Sequence, residues 1–166
     1  MMEVRLTAVQ VDLQSNNPVI LLQEKEGVRS LPIFIGAPEA TAIAFALQGV
    51  EVPRPMTHDL MKDLLDALGA RLVRVVVTEV RDDTYFAEIH VDVGSRHVEI
   101  SSRPSDAVAL AARTGSPIFV EEGLMETAGI VIETDEQPEE SGEASEELVS
   151  QFREFLDDVR PEDFSH

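Results

Sequence analysis

The chain has no cysteine, no tryptophan, a single tyrosine and only 13 basic residues among 166. Each shortage closes a route. Without cysteine there is no disulfide framework, no thiolate nucleophile and no cysteine-ligated zinc or iron-sulfur cluster. One tyrosine and seven phenylalanines, most of them inside apolar patterns, do not supply the platform on which single-strand binders stack successive bases. Set against 32 acidic residues, the few bases leave a formal charge of -19 and a pI near 4.4, so a broad phosphate-binding surface is not expected. No apolar run approaches the roughly 18 residues that span a bilayer, and the first residues lack a basic-then-apolar leader, so the expectation is a cytoplasmic soluble protein with no membrane partner.

What is present suffices for one domain: at this length about two-thirds of the unfolded surface can be buried, and 43% of the residues are hydrophobic. The charge is uneven. Residues 1–120 carry 16 acids and 11 bases, whereas residues 121–166 carry 16 acids with only Arg153 and Arg160. The expected organisation is therefore a domain at 1–132 and a solvated, disordered acidic linker at 133–147. At 148–160, Leu148, Val149, Phe152, Phe155 and Leu156 recur at helical spacing. That short amphipathic helix is expected to dock on its own domain, on a subunit neighbour or on a partner protein.

The first 120 residues read as α+β. Apolar runs at Val4–Leu13, Val19–Gln23 and Val28–Ile35, separated by Asn16-Asn17-Pro18 and Glu26-Gly27, predict three strands. Pro38 and Gly49 bracket a helix that is apolar nearly all round, and hence buried. A second helix is predicted from Thr57, read as its N-cap, to Gly69, and a third from Pro104 to Gly115. Strands fall at about 71–80, 85–93, 96–101 and Ile118–Val120.

One hairpin can be registered residue by residue. Gly94-Ser95 suits a two-residue turn, which pairs Val93 with Arg96, Asp92 with His97, Val91 with Val98, His90 with Glu99 and Ile89 with Ile100. One face is then apolar, apart from Arg96 at the turn, and the other carries His90, Asp92, His97 and Glu99. Alternating opposite charges are ordinary on a solvated sheet face. The same four side chains could also hold zinc or another divalent metal.

Glu39, Asp59 and Asp106 each sit in the first turn of a predicted helix, where the dipole favours a carboxylate. Arg54 and Arg103, each followed by proline, are stiffly presented beside helix-start N–H groups, a combination suited to phosphate. A buried Arg–Asp clamp between the loops would use the same residues, and spacing alone leaves both readings open.

Leu31-Pro-Ile-Phe-Ile-Gly36 with Glu39-Ala40, Pro53-Arg-Pro-Met-Thr-His-Asp-Leu60, the Tyr85-Phe-Ala strand and Arg103-Pro-Ser-Asp-Ala-Val-Ala-Leu-Ala111 together resemble the bifunctional nuclease domain family. The resemblance covers about residues 1–130. It implies an α+β two-layer sandwich with a mainly antiparallel sheet and three principal helices, a homo-oligomer, and hydrolysis of DNA and RNA phosphodiesters. Carried over by position, it singles out Glu39, Arg54, Thr57, His58, Asp59, Arg103, Ser105 and Asp106.

In such a nuclease His58, Asp59, Asp106 and Glu39 would be catalytic, with His58 as general base or acid. Asp59, Asp106 and Glu39 could hold Mg2+ or Mn2+. Arg54 and Arg103, with Ser105 and Thr57, would bind the phosphate. The acidic balance opposes a polyanionic substrate. A non-enzymatic regulatory or adaptor protein, binding a small anion or a protein partner, is the alternative.

Overall fold

The alternating apolar segments and the two proline-to-glycine segments assemble as one sheet with helices on one of its faces. A computed structural model of the chain describes residues 1–132 and 149–150. In chain order the strands are β1 (Met2–Val11), β2 (Pro18–Glu24), β3 (Arg29–Phe34), β4 (Ala70–Arg81), β5 (Thr84–Val93), β6 (Arg96–Ser102), β7 (Ile118–Val120) and β8 (Ile130–Val131). The helices are α1 (Ala37–Gln48), α2 (Thr57–Ala67), α3 (Pro104–Thr114) and α4 (Glu122–Ala128). The sheet runs β6-β5-β4-β7-β1-β2-β3-β8, antiparallel throughout except where β7, returning after α3, lies parallel to β4.

The core lies between the sheet and the helices. Val4, Ile20, Leu22, Leu31 and Ile33 from β1 to β3 meet Val75, Val77, Ile89 and Val91 from β4 and β5 beneath Ile43 of α1, Val108 and Leu110 of α3, and Met125 of α4. The residues that alternate with these face the other side, where Arg71 pairs across to Asp92 and Arg74 to His90. The expected hairpin register holds at all five pairs, from Val93 and Arg96 to Ile89 and Ile100.

α1 is buried continuously from Ala40 to Phe45, as its all-round apolar pattern requires. Gly49 and Gly115 end α1 and α3 at φ 62 and φ 69, left-handed conformations that a side chain would strain. α2 departs from the expectation at its start. Its N-cap is Met56, with Thr57 already helical, because the Asp59 carboxylate takes the Met56 N–H. Its inward side is Met61 and Leu65, while Leu60, Leu64 and Leu68 are 51%, 52% and 73% exposed.

Among the described residues no helix is long and apolar enough to cross a membrane. The acidic linker lies outside the described residues, as does the terminal helix apart from Val149 and Ser150. Val149 is buried against Ala44, Phe45, Val50, Val52 and Met56.

Candidate active site

Two helix starts meet at one guanidinium, and a third joins them through a shared carboxylate. Arg103, immediately before α3, donates from Nε to Asp106 Oδ2 at 2.7 Å and from Nη2 to Asp106 Oδ1 and Glu39 Oε1, each at 3.0 Å. Asp106 Oδ1 also receives His58 Nε2 at 2.9 Å. The first turns of α1, α2 and α3 are thereby joined through Glu39, His58 and Asp106. The helix dipoles favour the two acids, and the proline at the start of α3 fixes how Arg103 enters it.

The electrostatics of this cluster are nearly closed. Burial of Asp106 works to raise its pKa, but the hydrogen bonds from Arg103 and His58 outweigh it and hold the carboxyl below the ordinary 3.8. Asp106, and then Glu39, in turn hold the Arg103 proton more firmly than usual. The side chain of Arg103 is 64% exposed, against 17% for Glu39 and 24% for Asp106, so the cation of the cluster is the part offered to solvent. His58 is buried, at 6% exposure.

Asp59 goes elsewhere. Its Oδ1 receives Arg113 Nε at 2.6 Å and its Oδ2 receives the Met56 N–H at 3.0 Å. Burial tends to raise the Asp59 pKa, and the bonds from Arg113 and Met56 override it and lower it. Arg113 also donates to the carbonyls of Ala109 at 2.9 Å and Ala42 at 3.0 Å, and its side chain is 8% exposed. This is a structural clamp across α1, α2 and α3, and the sequence reading missed Arg113. Its only local signal, a base in the last turn of a helix, is what the dipole alone would favour. A cavity of about 220 Å³ opens beside this clamp, lined also by Phe45, Gly49 and Val50. A larger one of about 540 Å³, among Glu3, Glu24, Lys25 and Arg29, is remote from all the candidate residues.

The remaining candidates divide by exposure. Arg54 and Thr57 are exposed, and Arg54 makes no ion pair among the described residues. Ser105 is buried in the first turn of α3. Glu39, His58, Arg103 and Asp106 are brought together; Asp59 is not part of that contact network.

A second polar cluster lies on the opposite face of the sheet. His97 Nδ1 is 2.8 Å from Asp92 Oδ1, His90 Nδ1 is 3.1 Å from His97 Nε2, and Arg71 secures Asp92 from the next strand at 3.1 Å. His90, His97 and Glu99 form the one group among the described residues whose ligand atoms gather closely enough to hold a metal ion. This face is not uniformly solvated, as the sequence suggested, because His90 is only 4% exposed between Arg74 and its β6 neighbours. Burial, and then the charge of Arg74, push the His90 pKa below 6.5, leaving the imidazole neutral at neutral pH.

The family model of the bifunctional nuclease domain matches residues 20–133, a stretch that contains every helix-start residue named above. An uncharacterized protein of Mycobacterium tuberculosis is 46% identical over 162 residues, covering 98% of this chain and 97% of that protein. Bifunctional nuclease 1 of Arabidopsis thaliana is 32% identical over 123 residues, covering 71% of this chain but 38% of its own length. Bifunctional nuclease 2 of Oryza sativa subsp. japonica is 28% identical over 117 residues, 68% of this chain and 36% of its own length.

Proposed function

This chain belongs to the bifunctional nuclease domain family, and from that premise we propose that it hydrolyses phosphodiester bonds of DNA or RNA where its three helix starts meet. The observation that carries the reading is the joining of Glu39 and Asp106 by Arg103, with His58 bonded to the same Asp106 carboxylate. Asp106 and Glu39 take N–H groups from Nε and Nη2, which leaves the two N–H groups of Arg103 Nη1 for a phosphate oxygen. Arg54 and Thr57 are both exposed, and this reading assigns them to the same phosphate.

Asp106 accepts the His58 Nε2 proton, so Nδ1 is the nitrogen left to take one from an attacking water. The water oxygen bonds to phosphorus, the bond to the leaving oxygen breaks, and the proton held on His58 is returned to that oxygen. Arg103 offsets the charge that builds on the phosphoryl oxygens. In this reading Asp59 positions α2 through Arg113, and the buried Ser105 hydroxyl has no direct part.

Mg2+ or Mn2+ at Glu39 and Asp106 does not fit the side chains as they stand. Both Asp106 oxygens and one Glu39 oxygen are engaged by Arg103, and among the described residues no third donor gathers with them into a ligand group. A hard cation there would have to displace the guanidinium.

One observation favours a second reading, a non-enzymatic adaptor that binds a small anion at Arg54 and Arg103. It is the burial of His58, which suits a clamp between helices better than a base that must meet a water. In either reading we propose that the chain self-associates, with the exposed row of Leu60, Leu64 and Leu68 along α2 as the contact.

The test is cleavage of single- and double-stranded DNA and RNA by the full chain, alongside His58→Ala and Arg103→Gln proteins, with Mg2+, Mn2+ or EDTA. The reading requires cleavage by the parent chain that both variants lose while remaining folded. Phosphate binding lost in Arg103→Gln, without cleavage under any condition, would instead establish the adaptor.

A further inference from the structure

We infer that the outer face of the β5–β6 hairpin is a binding site for a borderline divalent cation of the zinc class, held by His90 Nδ1, His97 Nε2 and Glu99 Oε1. The three atoms are separated by 3.1 Å, 3.6 Å and 4.0 Å. Ligands at about 2.0–2.2 Å from a tetrahedral ion lie roughly 3.4 Å apart, so these separations bracket the requirement with only small side-chain adjustment.

Proton bookkeeping points the same way. Asp92, as a carboxylate, can only accept, so His97 Nδ1 donates to it and a neutral His97 turns a bare Nε2 lone pair toward His90. If His90 carries its proton on Nε2, two lone pairs face each other at 3.1 Å. If it carries the proton on Nδ1, that contact is satisfied, but a bare Nε2 is left buried without a hydrogen-bond partner, 3.7 Å from Glu88 Oε2. With both imidazoles neutral, each His90 tautomer leaves one mismatch, which an added positive charge, a proton on His97 or a metal ion, relieves. A cation among His90 Nδ1, His97 Nε2 and Glu99 resolves the first, and the Nε2 proton then points toward the Glu88 carboxylate.

The supporting groups are those that surround imidazole-bound metals. Asp92 orients His97 through its distal nitrogen and is itself tied to Arg71, the arrangement that fixes the tautomer and raises ligand basicity. Arg74 stands across the sheet from His90. Two imidazoles and one carboxylate select zinc, cobalt or nickel over magnesium. Three protein ligands leave a fourth position open to water. The hairpin forms the edge of the sheet, so a bound ion would pin β6 to β5 through side chains as well as through the ladder. This site stands apart from the proposed phosphodiester centre, because α3 packs against the face that carries Ile89 and Val91.

The experiment titrates the chelator-treated full chain with Co2+, read by visible absorption, and with Zn2+, read by calorimetry and thermal melting. One ion per chain, a tetrahedral cobalt spectrum, a raised melting temperature and no competition from Mg2+ are expected. His97→Gln and Glu99→Gln, at exposed positions where folding is not at risk, should abolish the cobalt spectrum. Asp92→Asn should weaken binding by roughly tenfold to a hundredfold, the usual effect of removing an outer partner. Failure of the parent chain to retain either ion would overturn the inference. So would binding that survives both ligand variants, or that is lost only in Glu39→Gln, which would place the ion at the helix starts.

Discussion

His58 and Asp106, 48 residues apart in the chain, share a 2.9 Å hydrogen bond that ties the first turn of α2 to the first turn of α3. Arg103 grips the same carboxylate and reaches from it to Glu39. If this junction is catalytic, Asp106→Asn should lower cleavage by about 10²–10⁴-fold, the range for losing positioned acid–base help. It should also cost about 1–3 kcal/mol of stability, because His58 and Arg103 lose an anionic partner. Cleavage rates set beside urea unfolding separate the two effects. Activity that falls only in step with the folded fraction would make the junction structural.

Acid should weaken the fold through Asp59 and Asp106. Both are held below the ordinary 3.8 in the folded chain, so the unfolded chain takes up these protons first as pH falls. Their contribution is therefore complete well above 3.8 and is lost as the pH descends through that value toward the lower folded ones. Urea midpoints followed across that window should drop, and the drop should flatten in an Asp59→Asn, Asp106→Asn double variant. An unchanged slope would contradict the assigned ion pairs.

Arg113→Met should destabilise by about 3 kcal/mol, since it strands Asp59 and two helix carbonyls around a side chain that is 8% exposed. A double-mutant cycle with Asp59→Asn should return a coupling of about 1 kcal/mol or more. In the fraction still folded, cleavage should persist. Complete loss of cleavage there would bring the clamp into the chemistry.

On the proposed self-association through α2, the parent chain should scatter light as more than one chain and Leu64→Glu should reduce that mass to one. Its stability should change by no more than about 0.5 kcal/mol, because Leu64 is 52% exposed. A parent of one-chain mass would overturn the self-association, and a larger mass unchanged by the substitution would remove α2 from it.

The local features were legible in the sequence because they depend on neighbours in the chain. Gly94, at φ 61, allows the two-residue turn that set all five pairs of the hairpin, and proline and glycine marked both ends of α1 and α3. What escaped notice is long-range. The three-residue strand β7 lies between β4 and β1, and no periodicity announces that placement. Asp59 and Asp106 look alike at their helix starts, yet Arg113, 54 residues beyond Asp59, draws one away while Arg103 keeps the other. His90 occupies an outward position by alternation and is nevertheless buried, because Arg74 from the next strand lies across from it. α4 and β8 were missed because a seven-residue helix and a two-residue strand hold too few apolar positions to show a period.

The most direct test is the rate at which the purified full chain cuts single-stranded DNA and RNA, compared with Arg103→Gln and His58→Ala proteins whose unfolding curves show them to be intact. The account predicts cleavage by the parent chain that falls at least a hundredfold in both variants, in line with the loss of a charge-stabilising or proton-transferring group. Equal cleavage by all three proteins would contradict it.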